Sequence, residues 1–279
     1  MSTMILTAEA LPIFASRNWI NQDSIDYGTF TVDEMLALLP RVVDGDRFSY
    51  WQGSTTDDLV TVTMQFDLMD RTALIGRAFD LVVLQNINWK NFLVEYRNPT
   101  TGVWATVTGM DFQSGVANNA ETDLIVNIPA GLEADSIRIF ITKTIVADEA
   151  KKCGGVIICQ SVLQLSNGFL NYKVKNRESV RELELGDKTL SREYIRWSGA
   201  SYDFYGSAFD CPFSTEAELE LLRTIKREGF NFILILEPGH RPEETYLVCF
   251  DGPWGHAYES PVRSVGYAIP MKVKAVGSH

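Results

Sequence analysis

From residue 61 to residue 68 the chain alternates. Val62, Met64, Phe66 and Leu68 fall on one side, and Thr61, Thr63, Gln65 and Asp67 on the other. That period of two is expected of a strand with one buried face. Residues 78–84 form a denser apolar run, which predicts a strand covered on both faces. Residues 92–96 follow Asn88 as another strand, and Thr100-Thr101-Gly102 marks a hairpin turn into residues 103–107. Residues 124–128, 137–145 and 156–163 alternate well enough to give three more strands. Between them lie a Gly/Asn/Ser-rich loop at 112–122 and a charged connection at 147–155. About seven or eight strands before Leu165 is the number of a jelly-roll-like β-sandwich. Ahead of them, Trp19, Ile20, Tyr27 and Phe30 are expected to wrap the sandwich edge. Thr31 and Glu34 have capping-box spacing, and Phe30 and Met35 fit a hydrophobic staple. Together they predict a short helix that Pro40 ends.

The pattern changes at Ser166-Asn167-Gly168, which divides the chain into domains 1–165 and 166–279. Residues 180–185 and 188–195 flank Gly186-Asp187 as a hairpin, and residues 202–213 give another strand or two. A helix is expected over 215–228, capped by Ser214 or Thr215. Glu216, Glu218 and Glu220 lie near its positive end, Lys226 and Arg227 near its negative end, and Gly229 stops it. Leu219, Leu221, Leu222 and Ile225 make its apolar face. Residues 232–236 read as a buried strand stopped by Glu237-Pro238-Gly239, and residues 244–250 and 265–276 complete the domain. The fold class is mainly β: an N-terminal jelly-roll-like sandwich, then a β-sandwich or barrel carrying one α-helix.

Composition narrows the possibilities. In 279 residues, 46% are hydrophobic and 22% charged, a globular balance. The net charge of −11 argues against a nucleic-acid partner. Residues 1–160 hold 20 of the 36 acidic side chains but only 11 of the 25 basic ones, so the first domain carries most of that charge. No apolar stretch of about 18 residues is present to span a membrane as a helix. No basic leader precedes the first apolar run, so no secretory signal is expected. Cys153, Cys159, Cys211 and Cys249 show no C-x-x-C spacing and are expected to be reduced core thiols.

Few residues invite chemistry. Asp44 and Asp46 flank Gly45 and are weak calcium candidates, without the fuller D-x-D-x-D-G pattern. The metal expectation is therefore none. Trp51, Asn88 and Trp89 are candidates for ligand contact, because loop aromatics stack on sugars. Trp104, inside a strand, is assigned to the core. Asp57-Asp58 and Asp67/Asp70 are read as surface acids rather than the separated carboxyl pair a glycosidase needs. Trp254, His256 and Tyr258 lie in a Gly/Pro loop and are candidates for subunit contact. No nucleophile elbow, phosphate loop or dinucleotide fingerprint occurs, so no cofactor and no catalytic residue are expected.

Two resemblances rest on particular residues. Asp44-Gly45-Asp46, Tyr50-Trp51, the strand end Gln65-Phe66-Asp67-Leu68, the turn with Asn86 and Asn88, Trp104 and Ser136-Ile137-Arg138-Ile139 occur in that order. Together they resemble the discoidin, or coagulation-factor type C, domain over residues 15–163, which implies a galactose-binding-like sandwich. The chain departs from that family at Met69, where a glycine is usual, and lacks its bracketing cysteines. Over residues 166–276 the order of elements is similar to the tail-tube and distal-tail (hub) families of bacteriophages. The run Phe230-Asn231-Phe232-Ile233 to Pro238, then Tyr246-Leu247-Val248 and Gly266-Tyr267, carries it. This second resemblance implies a non-enzymatic structural protein of the virion tail, at the distal tail or baseplate, made in the host cytoplasm. Its partners would be further copies in a homo-oligomeric ring and other tail proteins: tail tube, hub, tape measure or fibre. The alternative reading is a carbohydrate-binding module for a host surface glycan, and a wall or capsule hydrolase comes third.

Overall fold

The computed structural model describes residues 11–26, 36–45, 49–68, 76–113, 118–165, 170–176, 180–184, 190–194, 204–213, 216–228, 231–239, 241–251 and 267–275. At 129–130, 170–213, 216, 228, 267–270 and 275 only the backbone of the described residues is described. The strands are β1 (Ile13–Ala15), β2 (Trp51–Gln52), β3 (Val62–Asp67), β4 (Arg77–Gln85), β5 (Trp89–Arg97), β6 (Trp104–Asp111), β7 (Leu124–Ala134), β8 (Ser136–Thr144) and β9 (Lys152–Cys153). They continue with β10 (Gly155–Cys159), β11 (Ser161–Gln164), β12 (Leu170–Asn176), β13 (Val180–Glu184), β14 (Leu190–Tyr194), β15 (Phe204–Phe213), β16 (Phe232–Glu237), β17 (Arg241–Phe250) and β18 (Tyr267–Ala275). Among the described residues one α-helix, α1 (Glu216–Glu228), lies between β15 and β16.

The expected sandwich is present. A four-stranded sheet, β3-β8-β5-β6, faces a three-stranded sheet, β10-β4-β7, across a core that includes Phe66, Phe92, Ile137, Ile139, Val82 and Val156. The alternation read in β3 holds, with Val62, Met64 and Phe66 buried. The dense run in β4 also has the meaning expected of it. Val82 and Leu84 enter the sandwich core, while Leu81 and Val83 point the other way into a second core. There they meet Ile13 and Ala15 of β1 and Ile233 and Ile235 of β16.

That second core joins the sandwich to a seven-stranded sheet of order β11-β1-β16-β17-β18-β15-β12. Gln164 and Leu170 lie on its opposite edge strands, yet only five residues separate them. Five residues let their Cα atoms stand at most about 21 Å apart. Six strand spacings in a flat sheet would hold them about 29 Å apart. The sheet therefore curls. Helix α1 packs against β11 and also against β15, near the two edges, as a curled sheet allows. Leu219, Leu222 and Ile225 fill the resulting core with Phe14, Phe232, Leu234 and Val273.

Several local expectations change. The run 156–163 is two strands: β10 pairs with β4, then the chain crosses at Gln160 and β11 pairs with β1. Asp80 anchors the crossing, accepting hydrogen bonds from the backbone N–H and the hydroxyl of Ser161. Strand β7 runs past Pro129 to Ala134, because it is an edge strand with a pairing irregularity where a proline costs no ladder bond. Pro40 sits inside a 3-10 helix, Leu36–Val42, rather than ending one. Its carbonyl still accepts the N–H of Val43 at 3.2 Å, so the turn continues. The proposed cap at Thr31 lies outside the described residues. Leu221 is 39% exposed, so the buried face of α1 is the narrower set Leu219, Leu222 and Ile225. No helix among the described residues is long and apolar enough to cross a membrane.

Candidate contact surface at the loop end of the sandwich

Antiparallel strands send alternate connections to the same end. Here the β2–β3, β4–β5, β6–β7 and β8–β9 connections share one end, and Trp51, Asn88 and Trp89 lie there. Asn88 sits in the β4–β5 turn behind Asn86, whose φ of 49° is left-handed. Its Nδ2 donates to the carbonyl of Ala150 at 2.9 Å, and its Oδ1 accepts from the N–H of Lys152 at 2.8 Å. The carboxamide is thus a clasp on the β8–β9 loop. Asn119 does similar work from the β6–β7 side: its Nδ2 donates to the carbonyls of Trp89 and Glu121, both at 2.7 Å.

The two tryptophans are not where sugar contact requires them. Trp51 is 1% exposed and Trp89 0%. Trp51 pairs with Cys153 across β2–β9, and Trp89 meets the ring of Phe92 edge-on at 5.7 Å. Neither presents a ring face, which corrects the expectation drawn from their loop-like neighbours. Strand β5 begins at Trp89, and the start of a strand is already roofed by the loops above it. Both indole nitrogens are buried without a hydrogen-bond acceptor.

Trp104 is corrected in the opposite direction. It is half-buried on the outer face of the four-stranded sheet, opposite Arg97 in the β5–β6 register. Arg138 lies 4.0 Å from the centroid of its ring and pairs with Glu95 at 2.6 Å. Arg97 pairs with Asp135 at 2.7 Å, and that hydrogen bond raises the pKa of its guanidinium above the ordinary value. Cation–π contacts and paired charges of this kind clad an outer sheet face.

The remaining candidates divide between scaffold and undescribed chain. The Asp44 carboxylate accepts from the hydroxyl of Ser49, and Asp46 lies outside the described residues. Among the described residues no group of three or more His, Cys, Asp or Glu could hold a metal ion. Asp67 accepts from the Ser136 hydroxyl at 3.0 Å, and Asp70 is not described. Trp254, His256 and Tyr258 also lie outside the described residues.

Sequence reasoning missed what shapes this end. Asp58 Oδ1 accepts from the backbone N–H of Thr144 at 3.1 Å and lies 3.0 Å from its hydroxyl. The same hydroxyl is 2.6 Å from the Val146 carbonyl. Lys151 is fully buried, and its Nζ donates to the carbonyl of Asp57 at 3.1 Å. Burial lowers the Lys151 pKa, and the nearby charges of Asp58 and Asp57 oppose that in part. The β2–β3 and β8–β9 loops are thereby tied together. From them project Leu59, 89% exposed, and Val146, 59% exposed. A Lys-Lys pair between an alanine and a cysteine gives no signal that one ammonium is buried and the other is not.

A concavity of about 240 Å³ lies at the rim of the joint between sandwich and seven-stranded sheet. Arg17, Asn18 and Asn21 meet Gln85, Ile157, Asn231 and Thr245 there. Gln85 is 2% exposed, and its Nε2 donates to the Thr245 carbonyl at 3.1 Å, bridging the two sheets.

No protein-family model matches the chain, and no curated protein matches it. Among solved structures it is similar to the family 32 carbohydrate-binding module of Streptococcus pneumoniae EndoD, at 11% identity and a TM-score of 0.37, over 51% of this chain and 99% of that one. It is also similar to chitosan-binding module 1 of a Paenibacillus chitosanase/glucanase, at 13% identity and a TM-score of 0.35, over 51% of this chain and 98% of that one. A third is an F5/8 type C domain from Bacteroides fragilis, at 11% identity and a TM-score of 0.32, over 50% of this chain and 95% of that one.

Proposed function

We propose that this chain is a structural, contact-making protein: a component of the distal end of a bacteriophage tail. In this reading it assembles with further copies into a ring and joins neighbouring tail proteins. One observation carries it. The curled seven-stranded sheet leaves β11 and β12 as edges, and hairpin β13–β14 pairs only with itself among the described strands. An isolated two-stranded hairpin is marginal in water, and open sheet edges invite pairing with another chain. A closed ring of identical copies satisfies both.

The joint supports the same reading. Strands β1 and β11 lie on either side of the sandwich in sequence, yet both belong to the larger sheet, and the shared apolar core welds the two together. A force on the sandwich passes directly into the sheet. Nothing in this role calls for a reactive group. A glycan-binding role through Trp51 and Trp89 is disfavoured by the burial of both rings.

The test is the mass of the full chain by light scattering over a range of concentrations, with negative-stain images, alone and with tail-tube protein. A closed ring of defined copy number, or a stable complex with the tube, is expected. A strict monomer that ignores the tube overturns the proposal.

A further inference from the structure

The loop end carries an apolar tip on an unusually firm support. Leu59 and Val146 come from separate loops, and their neighbours Asp58 and Thr144 are hydrogen-bonded across the gap. The N–H of Leu59 is donated to Asp57 Oδ1 at 2.7 Å, which fixes the backbone of this turn. Beneath them the buried Lys151 ammonium grips the Asp57 carbonyl, and the Lys151 carbonyl accepts the N–H of Gly53 at 2.8 Å. Asp148, in the same loop as Val146, takes a left-handed φ of 61°. Single exposed apolar side chains are ordinary on a protein surface. Two on neighbouring loops, pinned by a buried lysine, are a preorganised pair, and preorganisation lowers the ordering cost of binding.

The surrounding charge selects the partner. Asp57, Asp148 and Glu149 are exposed beside Leu59 and Val146. That acidic rim repels an anionic lipid surface, and it also repels the same rim on a second copy. We propose that the Leu59–Val146 tip is a docking point for a different protein whose surface offers an apolar socket ringed by lysine or arginine. The inference stands apart from ring formation, which the larger sheet would mediate.

The test places a photo-cross-linking amino acid at position 59, and separately at 146, of the full chain in the cells that produce its assembly. Adducts from both positions should converge on one peptide of one partner, with Lys or Arg beside apolar residues. Raised salt should lower the yield. Leu59→Asp should cut the adduct from position 146 about tenfold, the effect of withdrawing one buried leucine from an interface. Leu59 is so exposed that this variant should keep the thermal transition of the parent, which separates lost docking from lost folding. Adducts that scatter, adducts to the chain itself, or Leu59-dependent binding to phosphatidylserine/phosphatidylcholine vesicles would each overturn the proposal.

Discussion

Gly155 is where the two halves of the molecule can be tested together. It sits opposite Gln85 in the β10–β4 register, and a Cβ added there would lie 2.8 Å from Gln85 Oε1 and 3.4 Å from Gln85 Cβ. In an exposed glutamine that crowding would be relieved by a rotation. Gln85 is 2% exposed, and its Nε2 is committed to the Thr245 carbonyl, so moving aside breaks the bridge between the sheets. Leaving that buried carbonyl unsatisfied costs about 1–3 kcal/mol. Replacing a strand glycine with alanine returns about 0.5–1 kcal/mol by restricting the unfolded chain. Gly155→Ala should therefore destabilise by about 1–2 kcal/mol. In a Gln85→Ala background the obstacle and the bond are both gone, and the same substitution should become neutral or stabilising. Urea unfolding of the four proteins, at a common m-value, gives the coupling energy. Equal costs of Gly155→Ala in both backgrounds, or no cost in the parent, would refute the argument.

Two further outcomes follow from burial. Burial pushes the Cys153 thiol up to about 12 and the Cys159 thiol higher still, so at pH 8 neither holds an appreciable thiolate in the folded state. Alkylation followed by peptide mapping should modify the part-exposed Cys249 before Cys153 and Cys159, which react only on unfolding; equal rates for these three would contradict their placement. A chain truncated after Leu165 would expose Leu81, Val83, Ile125 and Ile157 and unpair β1 from β16. It should aggregate on expression, and a soluble, cooperatively folding monomer would show that the joint does not stabilise the sandwich.

Much of the strand plan was legible because burial on one face imposes a period of two, and burial on both removes it. Residues 61–68 and 78–84 show each case. The pairing of β13 with β14 and helix α1 were legible from turn chemistry and from charges placed at the helix ends. The candidate site was legible only as a place. Asn88 lies at the loop end, but its amide is consumed in clasping the β8–β9 loop. Tryptophans 51, 89 and 104 were misplaced because side-chain exposure depends on what passes overhead, and a local window does not contain that. Leu59, Val146 and Lys151 gave no warning, since a leucine reads as core and a lysine as surface until the fold reverses both.

The sequence by itself determined the mainly-β class, the amphipathic helix α1 and the sandwich, because each is written in local periodicity and residue type. Only the tertiary structure decided that Gln160 hands the chain from one sheet to another, that five residues force the larger sheet to curl, and that a buried ammonium props up an exposed leucine. These depend on contacts between residues far apart in the chain. Their energy comes from water excluded between surfaces that do not exist until the strands have met.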